Sequence, residues 1–358
     1  MNIGVPKERR PFEFRVGLSP TGVELLCQNG HTVFIEHDAG MGAGFPDQEY
    51  ERAGARIVYS VEEVYGRAEF LLKIGRPMDD ELEWLQPDCT IAGLLHLAST
   101  RQNKIDLLLK KKVTSIAYEQ IELPDGSLPV LRPFSQIGGA MAAEVASRLL
   151  QNNFGGKGVL LGGIPGVPPA EVVILGAGVV GTFAARAFCG LGAHVTVLDK
   201  SMDALTRLSQ HTPNVVTMMA TERNIERVCS FADVLVGAVL VPGERAPMLV
   251  SRDLVRGMKP RSVIIDISID QGGCVETSRP TTHDHPTYVD EGIIHYCVPN
   301  MPGVVARTAT NGFVNAAIDY ILEIANLGVD KAIAEDPALA AGVTTYKGEL
   351  RNLTRLSH

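Results

Sequence analysis

Residues 172–199, VVILGAGVVGTFAARAFCGLGAHVTVLD, constrain this chain more than any other stretch. Residues 172–175 form an apolar run of strand length, and residues 195–198 form a second. Between them Gly176, Gly178 and Gly181 make a G-x-G-x-x-G turn that opens into a helix of small residues. In such a unit the first glycine permits a tight turn and the second brings backbone close to a pyrophosphate. The third lets the helix pack closely on the strand. The start of the helix has N–H groups without intrahelical partners and a positive dipole end, both suited to phosphate. Asp199 stands 23 residues after Gly176, near the spacing of an acid that accepts from ribose hydroxyls. A carboxylate there repels a 2′-phosphate, which points to NAD over NADP, with Lys200 softening the repulsion slightly. The expected cofactor residues are Gly176, Ala177, Gly178, Val179, Val180, Gly181 and Asp199.

At 358 residues the chain is too long for one small core, so two domains are expected. Residues 2–5, 32–35, 69–74, 90–95 and 113–117 read as strands, alternating with helical patterns over 21–29, 47–53 and 102–111. This alternation predicts a second doubly wound α/β domain ahead of the glycine turn. A small-residue helix over 136–150 leads into a glycine- and proline-rich tract at 155–169, whose apolar content predicts a packed loop. Later strands are expected at 233–240, 262–267 and 293–298, followed by a long helix over 303–327. That helix is expected to pack back on residues 1–130. The predicted domains are therefore 1–130 with 303–358, and 131–302.

The composition, 45% hydrophobic and 21% charged, is that of an ordinary globular protein. The net charge of −8 and the lack of a basic block argue against nucleic acid as a partner. No apolar run reaches the ~18 residues of a membrane span, and MNIGVPKERR lacks a signal-peptide core. Cys27, Cys89, Cys189, Cys229, Cys274 and Cys297 are scattered without a C-x-x-C pair. That usage reads as reduced thiols, and a cytoplasmic location is expected.

Three residues carry chemistry. Arg15, in KERRPFEFRVGLSP, offers a fork that binds a carboxylate bidentately. His96 ends the apolar segment LLHLA, where α/β active sites face their crevice, and can exchange protons near neutral pH. Asp270 follows a predicted strand in DISIDQGGCVETSRPTTHDHP and could orient water, ammonia or an iminium, although Asp266 and Glu276 compete for that role. His283 and His285 form an H-x-H without a third ligand at useful spacing, so no metal is expected.

With these residues in view the chain resembles the alanine dehydrogenase family, which includes the NAD(H)-binding part of proton-pumping transhydrogenase. The resemblance covers almost the whole length. It runs through GVPKE at 4–8, FRVGLSP at 14–20, LLHLA at 94–98, IAYE at 116–119 and LPDGSLPVL at 123–131. It continues through GGKGVLLGGIPGVPPAEVVILGAGVVGT, ADVLVGAVLVPG, IDQGGCVETSRPTTHDHPTY and HYCVPNMPG. The resemblance implies two Rossmann-like doubly wound domains with the active site in the interdomain cleft, assembled as a homohexamer. The implied reaction is reversible NAD-linked oxidative deamination of L-alanine to pyruvate and ammonia. Arg15 would hold the substrate carboxylate, His96 would be the acid/base and Asp270 would assist at the reacting nitrogen. Ser135, Asp199, Val239, Ile267, Asp270, Val298 and Asn300 would line the NAD site.

One departure stands out. The family's strand typically reads K-V-K-E-P, and its second lysine contacts substrate; here the segment is Lys73-Ile74-Gly75-Arg76-Pro77. Lys73 becomes a candidate substrate neighbour, and Arg76 is expected on the opposite face. Arg132, in Arg132-Pro133-Phe134, adds a charge near the expected substrate position. These changes raise a shifted substrate as an expectation. Two alternatives remain open: a non-catalytic NAD-sensing homologue, and a transhydrogenase-like NAD(H)-binding component.

Overall fold

The computed structural model describes residues 1–241 and 245–353. Residues 1–134 with 302–358 form one compact unit and residues 135–301 form the other.

The first unit is built on strands β1 (Asn2–Val5), β2 (Thr32–Glu36), β3 (Arg56–Val58), β4 (Phe70–Gly75), β5 (Thr90–Leu94) and β6 (Thr114–Ala117). They pair in the parallel order β3-β2-β1-β4-β5-β6. The C-terminal strands Val343–Tyr346 and Glu349–Leu350 extend the β6 edge antiparallel. Helices cover a parallel sheet on both faces, which is why its central strands read as continuous apolar runs. Ile3, Val5, Val33, Ile35, Phe70, Leu71, Leu72 and Ala92 are fully buried. Ser19 caps the helix Pro20–Gln28 by accepting from Gly22 N, and Pro20 fits the first turn, whose N–H groups need no intrahelical partner. The strand order reverses between β1 and β4, and such a reversal opens a crevice beyond the strands' C-terminal ends.

The long helix Ala306–Leu327 belongs to this unit, burying Ala309, Phe313, Ala317, Ile321 and Ile324 along one face. It starts three residues later than expected, because Met301–Val304 form a 3₁₀ turn. The helix expected from residue 136 begins instead at Arg132 and ends at Leu149. Pro133 breaks nothing there, since a first-turn residue has no N–H acceptor in the helix.

The second unit carries β7 (Glu171–Leu175), β8 (His194–Asp199), β9 (Val215–Met219), β10 (Val234–Gly237), β11 (Val263–Asp266), β12 (Thr287–Asp290) and β13 (Ile293–Tyr296). Its order is β9-β8-β7-β10-β11-β13-β12, parallel except for β12. The order again reverses beside the first strand, between β7 and β10, as in a Rossmann-like sheet. The glycine-rich tract is only partly packed: Leu161 is buried, but Leu160, Ile164 and Val167 are exposed around the small bridge Ile164–Val167.

Candidate active site

In the second unit the glycine turn follows β7. Gly176 has φ +109°, and a Cβ there would lie 2.3 Å from the Ala238 carbonyl oxygen. A Cβ on Gly181 would lie 1.8 Å from the Gly176 oxygen, so helix and strand touch backbone to backbone. Gly178 is the N-cap of the helix Val179–Gly190, and its missing side chain would point into open space. A bound phosphate could therefore approach this backbone directly. Ala177 N donates to Asp199 Oδ2 at 2.6 Å, and Ser201 N donates to Oδ1 at 2.8 Å, fixing the carboxylate at the end of β8. Val179 and Val180 open the helix, with Val179 exposed.

Val239, Ile267 and Val298 follow the C-terminal ends of β10, β11 and β13, and Asn300 comes just after with φ +56°. The expected strand through residue 240 stops at Gly237, and Val239 N donates instead to Ser268 Oγ at 2.9 Å. Ser135 lies in the first turn of the helix Arg132–Leu149. The small residues of that helix have a packing reason. A Cβ on Gly139 would lie 2.3 Å from the Val180 oxygen, and one on Gly138 would meet Ile267 Cγ2 at 3.8 Å.

The three competing acids separate cleanly. Asp266 is buried, and its carboxylate accepts from the N–H groups of Ser268, Cys274 and Val275 at 3.0 to 3.3 Å. Burial pushes its pKa up against those bonds. It braces the loop rather than facing solvent. Glu276 accepts from Arg252 N at 2.7 Å, at the start of the helix Arg252–Arg256. Asp270 is exposed, as Glu276 is, and is set on the short 3₁₀ helix Ile267–Gln271 directly after β11. His283 and His285 join no ligand-like cluster; among the described residues such a group is His37, Asp38 and Asp47.

In the first unit, Arg15 is buried and clamped by Glu13, with Nε 2.6 Å from Oε1 and Nη2 2.5 Å from Oε2. Its guanidinium also lies over the Phe134 ring, 4.9 Å from the centroid. A cavity of about 140 Å³ reaches Arg15, with Lys7, Glu8, Glu13 and Asp38 in its lining. Charges of both signs suit a zwitterion.

His96 leaves β5 in the left-handed region, φ +44° and ψ +44°, with its side chain 57% exposed. Such a backbone on a non-glycine residue needs support, and Glu119 supplies it. His96 N donates to Glu119 Oε1 at 2.6 Å and Leu95 N donates to Oε2 at 3.1 Å. Nδ1 of His96 lies 3.7 Å from the same carboxylate, which leaves Nε2 as the nitrogen turned away from it. Sequence reasoning did not single out Glu119, although an acid directly after a parallel strand was a signal.

The structure places Lys73, expected as a neighbour of the substrate, inside a buried ion-pair cluster. Lys73 has no solvent exposure, and its ammonium donates to Glu81 Oε1 at 2.8 Å and lies 3.2 Å from Glu8 Oε2. Burial alone would push this lysine down, but the two carboxylates outweigh it and hold it charged. Glu8 also accepts from Ile74 N at 2.7 Å and Gly75 N at 3.3 Å. Gly75 itself has no positive φ, and a Cβ there would meet Arg10 Cδ at 3.6 Å and Glu8 Oε2 at 3.7 Å, ordinary contacts. Neither conformation nor space demands glycine. Since β4 ends at Gly75, strand alternation no longer governs Arg76, whose Nη1 donates to Ser99 Oγ and Thr100 Oγ1 beyond His96. Arg132 is exposed at the start of its helix.

Two α/β units with the same wound strand order, one bearing a dinucleotide turn and the other a histidine and buried arginine, define a dinucleotide-linked enzyme class. The models of the alanine dehydrogenase/PNT N-terminal and C-terminal domains match residues 4–138 and 142–353. The chain belongs to the alanine dehydrogenase/PNT family. It is 47% identical to alanine dehydrogenase of Methanococcus maripaludis and 44% to that of Mycobacterium tuberculosis, each over 98% of this chain and 94% of the relative. A solved L-alanine dehydrogenase superposes with a TM-score of 0.94 at 47% identity, covering 98% of this chain and 96% of its own. A transhydrogenase from Sinorhizobium meliloti, with a TM-score of 0.87 at 23% identity over 98% of this chain and all of its own, shares the fold. Among the described residues no helix is long and apolar enough to cross a membrane.

Proposed function

We propose that this protein is an NAD-dependent amino-acid dehydrogenase of the L-alanine dehydrogenase type. L-Alanine, NAD⁺ and water give pyruvate, ammonium, NADH and a proton. The observation that carries the reading is the pairing of the Gly176–Gly181 turn and its anchored Asp199 with the supported His96 and clamped Arg15 in a chain this similar to alanine dehydrogenases.

Bound NAD supplies a hydride acceptor at the substrate α-carbon. Arg15 takes the substrate carboxylate, its orientation set by Glu13. His96 takes the proton of the attacking water and returns it to the leaving nitrogen. Asp270 assists at that nitrogen by charge and hydrogen bonding. Ser135, the 176–181 turn, Asp199, Val239, Ile267, Val298 and Asn300 hold the cofactor, and the Asp199 carboxylate disfavours a 2′-phosphate. Arg132 is the remaining substrate-side charge. The same reading assigns residues 1–130 with 303–358 to substrate and 131–302 to NAD. It extends to a homohexamer at work in the cytoplasm on amino and 2-oxo acids.

The test is NADH formation by the purified protein with NAD and a panel of L-amino acids, alanine included. The reading expects alanine to be turned over. A signal confined to another amino acid replaces alanine as the substrate. Tight NAD binding with no turnover of any amino or 2-oxo acid sinks the enzyme reading in favour of NAD sensing.

A further inference from the structure

The loops that leave β1 and β4, the two strands flanking the reversal of strand order, carry Arg10 and Arg76. Arg10 donates through Nε and Nη2 to the Arg76 carbonyl oxygen, at 3.3 and 3.2 Å. Arg76 donates through Nη1 to Ser99 Oγ and Thr100 Oγ1, at 3.3 and 3.4 Å. Both hydroxyls donate to the His96 carbonyl oxygen, at 3.1 and 3.3 Å. Both arginines therefore sit on loops at the reversal of strand order, Arg10 tied to Arg76 and Arg76 tied to the histidine's own loop.

Both arginines are half-buried, and the acids in their field are occupied elsewhere: Glu8 pairs with Lys73, and Asp79 pairs with Lys104. Burial and then the charge of Arg10 push the Arg76 guanidinium down. A partly desolvated pair of like charges is unfavourable on its own, and an anion relieves it. Gly75 borders the arrangement. A Cβ there would meet Cδ of Arg10 at 3.6 Å, Oε2 of Glu8 at 3.7 Å and Nε of Arg10 at 3.8 Å, so the Arg10 side chain lies beside the strand end. The turn that carries Arg10 also sets Arg15, because Glu13 N donates to the Arg10 carbonyl oxygen at 3.1 Å and the Glu13 carboxylate clamps Arg15.

We propose that Arg10, backed by Arg76, is the cation that receives the 2-oxo oxygen of the substrate beside His96. The proposal rests on the dehydrogenase reading above. Nη1 of Arg10 is the donor its bonds to Arg76 leave for a ligand. A guanidinium does not give up its proton near neutral pH, so Arg10 polarises the oxygen while His96 moves the proton.

The experiment measures pyruvate binding by calorimetry at saturating NADH, alongside pyruvate reduction with ammonia, in Arg10→Gln, Arg10→Lys and Arg10→Gln/Gly75→Lys. Arg10→Gln is expected to weaken pyruvate binding and lower kcat/KM by roughly 10²-fold, the scale of a lost oxyanion donor. NADH affinity should hold. Arg10→Lys should stay within about tenfold of wild type, and the lysine at position 75 should recover at least about tenfold of the loss, since either restores a cation. Wild-type pyruvate binding in Arg10→Gln overturns the proposal. So does an equal loss in Arg10→Gln and Arg10→Lys without recovery in the double variant, which marks a mere buttress. Arg10-dependent pyruvate binding in a protein that never oxidises NADH sinks the dehydrogenase reading and keeps the anion site; an active protein indifferent to Arg10 does the reverse.

Discussion

Lys73 and Glu81 form an ion pair of 2.8 Å at a point with no solvent exposure for the lysine, and Glu8 closes its other side at 3.2 Å. Tyr65 donates to the same Glu81 oxygen at 3.1 Å, and Met78 N donates to the other at 2.7 Å. The cluster joins the loop after β1, the middle of β4 and the helix Asp79–Trp84. Removing one member leaves buried charge uncompensated, a loss of about 3–5 kcal/mol. Lys73→Met is therefore expected to lower the urea midpoint sharply. Normal stability combined with lost pyruvate binding would return Lys73 to the substrate site.

The bond between Ala177 N and Asp199 Oδ2 couples the glycine turn to the acid proposed to face the ribose. Hydrogen bonds to a charged group contribute about 1.5–3 kcal/mol each. Asp199→Ala is expected to raise the KM for NAD roughly 10- to 100-fold and to narrow the preference over NADP, with Lys200 then facing the 2′-phosphate. Steady-state kinetics with both cofactors checks this. An unchanged NAD/NADP ratio would remove Asp199 from the ribose.

His295 is buried in β13 with both ring nitrogens engaged: Nδ1 with the Ile293 carbonyl oxygen at 3.0 Å and Nε2 with Thr277 Oγ1 at 2.7 Å. The neutral tautomer that donates from Nδ1 and accepts at Nε2 satisfies both contacts. Burial pushes the pKa below its usual value. The unfolded chain then binds the proton more readily than the folded one. This contribution to stability is intact above the unfolded pKa, near 6.5, and is lost progressively as pH falls from there through the folded pKa. Urea unfolding of wild type and His295→Gln at pH 7 and pH 5 tests the sign. The gap between them is expected to shrink at pH 5, and a gap that widens would mean the charged form is the buried one.

The legible parts of the sequence were those in which one short segment carries its own reason. The glycine turn states its geometry locally, and the parallel strands β1, β4, β5, β7, β8 and β11 stand out as apolar runs because both faces are buried. Segments that depend on distant partners were harder. Val215–Met219 is a half-exposed edge strand, and Val61–Arg67 and Asp79–Trp84 are short, acid-rich helices whose pattern is weak. Lys73 looked like a site residue because its two acids come from other elements, which only the fold brings together. Arg10 and Arg76 were hidden for the same reason, since the crevice position of a residue follows from strand order and not from spacing along the chain.

Glu119 is the support of the histidine loop, holding Leu95 N and His96 N on its two oxygens while His96 sits at φ +44°. A left-handed non-glycine residue costs on the order of 1–3 kcal/mol and persists only where its surroundings fix it. Glu119→Ala removes both acceptors, so the loop should relax and the imidazole lose its fixed direction. The expected result is a fall in kcat/KM for alanine of at least about tenfold, because misplacing a catalytic group by an ångström is that costly. Glu119→Gln keeps one amide oxygen as an acceptor and should fall between wild type and alanine. NAD affinity, assigned by the proposal to the Gly176–Gly181 turn and Asp199 in the other unit, should be the same in all three. Wild-type turnover in Glu119→Ala would show that β5 and the Ser99 and Thr100 hydroxyls hold His96 without the carboxylate.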